Sequence, residues 1–269
     1  MIEWLTAGWS LFGASYVAAW ALAVALPLAG IPVVAREQAL LGVGLVQMGA
    51  CGFAVAIACG LAWPSLWAFL AIAVASVLAQ RPPPRERPEA VAAWMILFGG
   101  AATVLILAGQ PYGAEQLARL TSSSVLGASW PGATGALLVA VLVVALALVA
   151  GRRVLLAAWE PRLARQQGAA PLVLSLAAAL LLALLLAVAL KLLGALLTTA
   201  LLVLPALAAR RLGTRLAWMP WLSVAAGLGA VTGGFAIAWQ ADLPPGQVAV
   251  ALLGGLLVLA WVWPRSWRA

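Results

Sequence analysis

The chain has 269 residues, of which 66% are hydrophobic and only 8% are charged, and its mean hydropathy of +1.11 leaves too little polar surface for a water-soluble domain. Its apolar runs are continuous and about 20 residues long, which is typical of transmembrane helices and excludes the short alternating strands of a transmembrane β-barrel. The net charge of +8 comes from fifteen basic residues in short clusters between the apolar runs. Such clusters orient helices in a bilayer, so the charge does not indicate nucleic-acid binding.

The hydropathy pattern predicts an all-α, polytopic transmembrane helix bundle that forms one domain over residues 1–269. A topology with the N-terminus outside and the C-terminus inside places 13 of the 15 basic residues on the inner face, and leaves only Arg119 and Lys191 outside. An alternative with eight spans fuses residues 171–209 into one helix. It places the basic clusters at 152–165 and 210–215 on opposite faces of the membrane. The nine predicted spans are 9–34, 39–60, 64–80, 90–109, 133–151, 171–190, 194–209, 217–240 and 246–264.

Two short segments outside these spans are predicted to be helical. Residues 113–128, on the outer side, carry too few apolar residues to cross the membrane, which favours a short helix that lies in the interface or re-enters. On the inner side, W-E-P-R-L-A-R-Q-Q-G at 159–168 has Glu160 as a possible cap, Pro161 at the first helical position and Gly168 at the end. This pattern predicts a short amphipathic helix on the cytoplasmic surface, and the alternative is a basic loop that only enforces topology.

The longest motif runs from Lys191 to Leu212, an apolar helix with a glycine near its start, a late proline and a closing arginine pair. Together with three shorter segments it resembles the membrane permeases of ATP-binding-cassette importers for zinc, manganese and iron. The shorter segments are R-E-Q-A-L-L-G at 36–42, V-T-G-G at 231–234 and D-L-P-P-G at 242–246. The positions of the long motif that match the family pattern are Gly194, Leu196, Leu197, Ala200, Leu201, Leu202, Pro205, Ala206 and Arg210.

The resemblance implies a set of partners and one contact for them. It makes 159–168 the coupling helix to cytoplasmic ATPase subunits, where Arg162 departs from the family pattern and Glu160, Pro161, Ala164 and Gly168 match it. It also implies an extracytoplasmic substrate-binding protein at the outer loops, a second permease copy, and a location in the inner cell membrane surrounded by lipid. Because the sequence contains no G-x-x-x-x-G-K-[ST] phosphate loop, ATP hydrolysis is expected on the partner, and the chain itself is not an enzyme and needs no cofactor.

The expected substrate position is where the sequence departs from the family. Permeases of this type carry Asp-x-x-x-His in the second span, and the aligned positions here are Val43 and Gln47. The chain contains no histidine, and none of the predicted spans contains Asp or Glu, so a bare divalent cation finds no carboxylate or imidazole inside the membrane. Gln47, Met48 and Cys51 are the weak candidates for a metal site. Met48 and Cys51 share a helical face that could hold a Cu(I)-like ion, and ordinary packing is the alternative.

Glycines and one proline are the expected packing and gating positions. Pro205 removes a helical hydrogen bond, so its helix can bend there either as a moving gate or as a static kink. The glycine pairs predict small faces where helices approach closely. The expected gating or packing residues are Gly194, Pro205, Gly233 and Gly234, and the predicted small faces are Gly49 with Gly52, Gly99 with Gly100, Gly229 with Gly233, and Gly254 with Gly255.

The resemblance implies that the chain is the permease subunit of an ATP-binding-cassette importer that carries a divalent metal ion or a metal chelate by alternating access. An energy-independent channel or a secondary transporter is the alternative, although such carriers commonly place ionisable residues in mid-membrane. A membrane hydrolase would need an Asp, His or Lys partner for its nucleophile, which the spans do not offer.

Overall fold

The computed structural model describes residues 3–80, 88–121, 125–159, 171–213 and 218–262, and within these ranges the chain is helical and contains no strand. The predicted all-α fold is therefore confirmed for the described residues. A short 3-10 turn, Val125–Gly127, lies between the fifth and sixth helices. The described residues form nine α-helices: α1 (Glu3–Ala35), α2 (Ala39–Ala58), α3 (Pro64–Gln80), α4 (Pro88–Ala108), α5 (Gly113–Thr121), α6 (Trp130–Trp159), α7 (Pro171–Leu212), α8 (Met219–Ala241) and α9 (Pro245–Val262).

Seven of these helices are long and apolar enough to cross a membrane. Six of the seven each correspond to one predicted span. The prediction has nine spans, two more than seven, for two reasons. The predicted span 64–80 coincides with α3, which has only 17 residues, and the predicted spans 171–190 and 194–209 both lie in α7. The seven stretches are Leu11–Ala35, Ala39–Ala58, Pro88–Ala108, Trp130–Val154, Val173–Leu212, Met219–Ala241 and Pro245–Val262.

Helix α7 is not one straight rod, because its backbone bends at Gly194. This residue has φ 75° and ψ 172°, a conformation that is essentially restricted to glycine. A straight helix of 40 apolar residues would be about 60 Å long, twice the thickness of the hydrocarbon core. The bend divides α7 into two halves of about 20 residues, each long enough to span. We call them α7a (171–193) and α7b (195–212), and they coincide with the two separately predicted spans.

The leucines of α7 occupy the centre of the bundle, where α7 contacts α1, α2, α3, α6, α8 and α9. The Leu192 side chain lies against Gly132 near the start of α6, and Leu202 lies against Gly30 and Gly42, on either side of the turn between α1 and α2. Helix α7b therefore runs toward the α1–α2 turn. The fully buried large side chains of α7 are Leu185, Leu186, Leu190, Leu193, Leu197, Leu201 and Leu202.

The periphery of the bundle is apolar, as a lipid-facing surface requires. Leu148 and Val149 on α6 are 80% and 84% exposed, and Leu105 on α4 is 74% exposed. A water-soluble protein rarely exposes so many contiguous apolar side chains, because each costs free energy in water and none in lipid. The exposed faces thus agree with the membrane class that the composition predicts.

Two short features of the sequence behave as predicted. Residues 113–121 form α5, whose exposed Glu115 and Arg119 pair at 2.8 Å and whose Leu120 is buried. Nine residues are too few to cross a bilayer, so α5 does not span the membrane, and the predicted position in the interface or in a re-entrant segment stays a prediction. Asp242 ends α8 in the left-handed conformation, with φ 53° and ψ 42°, and its N–H bonds to the Ala238 carbonyl. It shapes the turn before α9, because aspartate tolerates this conformation better than most residues do.

Candidate functional site

Helix α2, which carries the expected substrate positions, packs closely on three neighbours through its glycines. A Cβ atom at Gly44 would lie 3.1 Å from the Ala92 carbonyl oxygen on α4, and one at Gly52 would lie 2.6 Å from the Trp67 carbonyl oxygen on α3. A Cβ at Gly42 would instead lie 2.8 Å from a flexible leucine methyl on α7. A side chain at Gly44 or Gly52 would push the helices apart, so these two glycines allow backbone-to-backbone packing.

Gln47 and Met48 lie where α2 meets α4. A Cβ at Gly99 of α4 would lie 2.9 Å from the carbonyl carbon of Gln47 and 3.0 Å from the nitrogen of Met48, and a Cβ at Gly100 would lie 3.8 Å from Gln47 Oε1. The Gln47 side chain is half-buried and points toward α4, and no hydrogen bond to it is seen among the described residues. Its amide offers one acceptor oxygen and two donor hydrogens, which suits a neutral or weakly charged ligand.

The remaining two metal candidates, Met48 and Cys51, are both half-buried, and Met48 packs against the apolar core. The part of the chain that the structure describes contains no group of three or more His, Cys, Asp or Glu side chains that could hold a metal ion. A Cu(I)-like site at Met48 and Cys51 therefore stays a prediction that rests on their helical spacing alone.

The expected gating residue Pro205 lies in α7b, and its neighbour across the interface is Ser223 of α8. The proline has no N–H, so the carbonyl of Leu201 loses its helical partner. The buried Ser223 hydroxyl donates a long hydrogen bond of 3.5 Å to the Pro205 carbonyl oxygen. Sequence reasoning missed Ser223, since a lone serine in an apolar helix carries no signal of what it faces.

Gly233 and Gly234 lie where α8 packs against α9. A Cβ at Gly234 would lie 2.9 Å from the Ala249 side chain, and one at Gly233 would lie 3.1 Å from a leucine methyl of α9. The preceding Thr232 accepts a hydrogen bond of 3.2 Å from Trp20 Nε1 of α1. This segment thus holds α1, α8 and α9 together, whereas its role in gating remains a prediction.

The predicted small faces are only partly used for packing. Gly49, Gly52 and Gly99 make close helix contacts, and Gly233 does so against α9. A Cβ at Gly229, Gly254 or Gly255, in contrast, would meet nothing within 4 Å. The expectation of close helix approach is therefore wrong for these three glycines within this chain, because they lie on faces that no neighbouring helix of the bundle covers.

Basic residues from two distant segments meet at one end of the bundle. Arg210, at the end of α7b, donates hydrogen bonds to the Val34 carbonyl oxygen at 3.3 Å and to Glu37 Oε1 at 3.1 Å. Arg36 lies in the same turn, and its partial burial lowers the pKa of its guanidinium, which stays charged at neutral pH. Arg36 and Arg210 thus lie at the same end of the bundle, as the predicted topology requires.

The coupling positions Glu160, Pro161, Ala164 and Gly168 lie outside the described residues, which stop at Trp159 and resume at Pro171. The predicted coupling helix therefore stays a prediction from the sequence.

A second residue that sequence reasoning missed is Thr198, which lies one turn after the bend in α7. Its side chain is 0% exposed, and its hydroxyl has no hydrogen-bond partner among the described residues. Its neighbour Thr199 bonds to the carbonyl oxygens of Ala195 and Leu196, both at 2.9 Å. The sequence alone does not show which of the two adjacent threonines lacks a hydrogen bond, because this depends on which side of the helix faces the core.

Comparison with known proteins agrees with this architecture. The fold matches PsaBC from Streptococcus pneumoniae, solved in complex with a Fab, with a TM-score of 0.85 and 17% sequence identity over 98% of this chain and 97% of that chain. It also matches a transporter described as a metal-chelate type ABC transporter in an inward-facing conformation, with a TM-score of 0.72 and 14% identity over 92% of this chain and 84% of that chain.

At these identities the two solved structures show a shared fold and no more. A search of curated proteins gives no match to the chain. The decisive finding comes from the sequence, because the model of the ABC 3 transport family matches residues 10–263 and so covers nearly all of the helical bundle. The chain belongs to the ABC 3 transport family and is a multi-pass membrane permease.

Proposed function

We propose that the chain is the membrane subunit of an ATP-driven importer that carries a metal ion or a metal chelate by alternating access. The observation that carries this proposal is the match of the ABC 3 transport family to residues 10–263. A structural relative described as a metal-chelate type ABC transporter supports metal as the cargo. The same family match favours this function over an energy-independent channel or a secondary transporter.

The proposed topology has nine crossings, with the N-terminus outside and the C-terminus inside. The bend at Gly194 supports it, because α7a and α7b are each long enough to cross separately. Helix α3, with 17 residues, lies at the lower limit for a spanning helix. The contact of Arg210 with the α1–α2 turn supports the placement of both basic clusters on the inner face.

The proposed partners follow from the same assignment. Cytoplasmic ATPase subunits would bind the segment 159–168, where Glu160 and Pro161 can begin a helix and Gly168 can end it. A substrate-binding protein would dock at the outer loops, and a second copy of the permease would complete the pore as a homodimer. ATP hydrolysis would take place on the ATPase subunits, since the sequence contains no phosphate-binding loop of its own.

The experiment is co-expression of the tagged permease with the ATPase and binding-protein subunits of neighbouring genes. We expect the ATPase to co-purify with the wild-type chain, and we expect Glu160→Lys or Gly168→Pro to reduce the recovered ATPase at least about tenfold, since each change disrupts the start or end of the coupling helix. Gln167→Ala is the matched control within the same segment. Equal membrane insertion of all variants would show that the loss is one of coupling.

The cargo is tested on the same material in nanodiscs, by measuring ATP hydrolysis with the binding protein and Zn²⁺, Mn²⁺ or iron(III) citrate. Stimulation by one of these would identify the cargo class. Normal co-purification of both coupling variants would contradict the role of 159–168, and absence of any ATPase from the wild-type preparation would contradict the importer itself.

A further inference from the structure

The bend at Gly194 interrupts a helix in the interior of the bundle. Both flanking leucines, Leu193 and Leu197, are buried. The first amides of a helix have no partner within it, and glycine has no side chain with which to cap them. Gly194 itself is buried by its neighbours, so the helix that begins after it presents its first backbone donors to protein and not to bulk water.

The second observation at this place is the hydroxyl of Thr198, which is fully buried and has no hydrogen-bond partner within the described part of the chain. The other buried serine and threonine hydroxyls of the described helices all have a partner. Ser76 and Thr103 donate to the carbonyl four residues earlier, both at 2.7 Å, whereas Ser223 and Ser15 bond to other segments. A buried hydroxyl without a hydrogen bond destabilises the fold. A ligand that accepts or donates a hydrogen bond to it in another conformation of the protein would explain why it lies in the core.

The direction of the side chain places this hydroxyl at the start of α7b. Side chains of an α-helix tilt toward its N-terminus, so Thr198 covers the turn that contains the amides of residues 195–197. The hydroxyl and these amides together form a set of hydrogen-bond donors. The N-terminal end of a helix also carries a partial positive charge, which favours an anionic group.

The charges along α7 favour the same class of ligand. Residues 171–213 contain no Asp or Glu. A bare divalent cation would meet no carboxylate there, whereas an anionic oxygen would meet hydrogen-bond donors. Helix α2 packs on both sides of the bend, since Gly49 meets Leu190 and Gly42 meets Leu202. The bend therefore faces the helix that carries Gln47 and Met48.

We propose that the first turn of α7b and the Thr198 hydroxyl bind an anionic oxygen of the cargo, and that the cargo is a metal chelate with carboxylate groups. This inference rests on the proposed transport function and specifies its substrate class. It accounts for a permease whose described residues contain no group of three or more His, Cys, Asp or Glu side chains that could hold a bare metal ion. In the present structure the site is closed around Thr198, so ligand entry accompanies opening of the bundle.

The test compares Thr198→Val with Thr199→Val in the full-length chain in nanodiscs, with iron(III) citrate labelled in the citrate as the probe. The two changes are matched, since both remove a hydroxyl from adjacent residues of α7b, and of the two only Thr198 lacks a partner among the residues that the structure describes. We expect Thr198→Val to weaken binding about tenfold or more, as loss of a hydrogen bond to a charged group does, and Thr199→Val to change it less than twofold.

Thermal unfolding of the same samples separates binding from folding. Thr198→Val should unfold at or above the wild-type temperature, because it removes an unpaired polar group from the core. Equal citrate binding by Thr198→Val and the wild type would overturn the inference, and so would wild-type binding of Mn²⁺ or Zn²⁺ alone without binding of iron(III) citrate. ATPase co-purification is recorded in parallel, so that failure of the importer assignment is seen independently of ligand binding.

Discussion

The bend of α7 makes a sharp prediction for Gly194→Ala. Gly194 has φ 75° and ψ 172°, and a residue with a Cβ in this region is strained by about 1–3 kcal/mol. The alternative, a straight α7, cannot relieve the strain, because about 60 Å of continuous helix would not fit the bilayer. We therefore expect the variant to lose about 2 kcal/mol of stability, which changes the ratio of folded to unfolded protein roughly 30-fold. Tryptophan fluorescence during thermal unfolding in detergent measures this.

The matched control is Gly229→Ala, a helical glycine whose added Cβ would meet nothing within 4 Å. It should leave stability unchanged or raise it by up to about 1 kcal/mol, since alanine is the better helix former. If Gly194→Ala unfolds at the same temperature as Gly229→Ala or above it, the positive φ angle at 194 is not required and the division of α7 into two spans is wrong.

Two further predictions concern helix contacts. Gly99→Ala should destabilise the bundle by about 1–3 kcal/mol, because its Cβ would lie 2.9 Å from the backbone of Gln47, and a normal unfolding temperature would contradict the close packing of α4 on α2. Arg210→Gln should cost at most about 1 kcal/mol, since its ion pair with Glu37 is exposed, and Glu37→Gln should cost less because the bond to Val34 remains. A loss above about 2 kcal/mol for Arg210→Gln in the same assay would refute this.

Composition and local pattern determined the class of the protein and most of its helices. A bilayer requires apolar runs of about 20 residues with their backbone satisfied internally, so hydropathy alone predicts where the helices lie. Asp242 at its turn and the short helix α5 were also predictable, since a turn residue and a nine-residue helix depend on local chemistry. The order of the motifs around Gly194 and Pro205 carried the family resemblance.

Only the tertiary structure decided which glycines pack against a neighbouring helix and which threonine hydroxyls are hydrogen-bonded. Gly52 packs against α3 while Gly254 faces open space, and Thr199 is satisfied while Thr198 is not. Their sequence contexts are nearly equivalent, since both glycines and both threonines lie in apolar helices. The difference arises because packing depends on which face of a helix a distant segment covers, and in helices made largely of apolar residues the hydrophobic pattern does not distinguish one face from another.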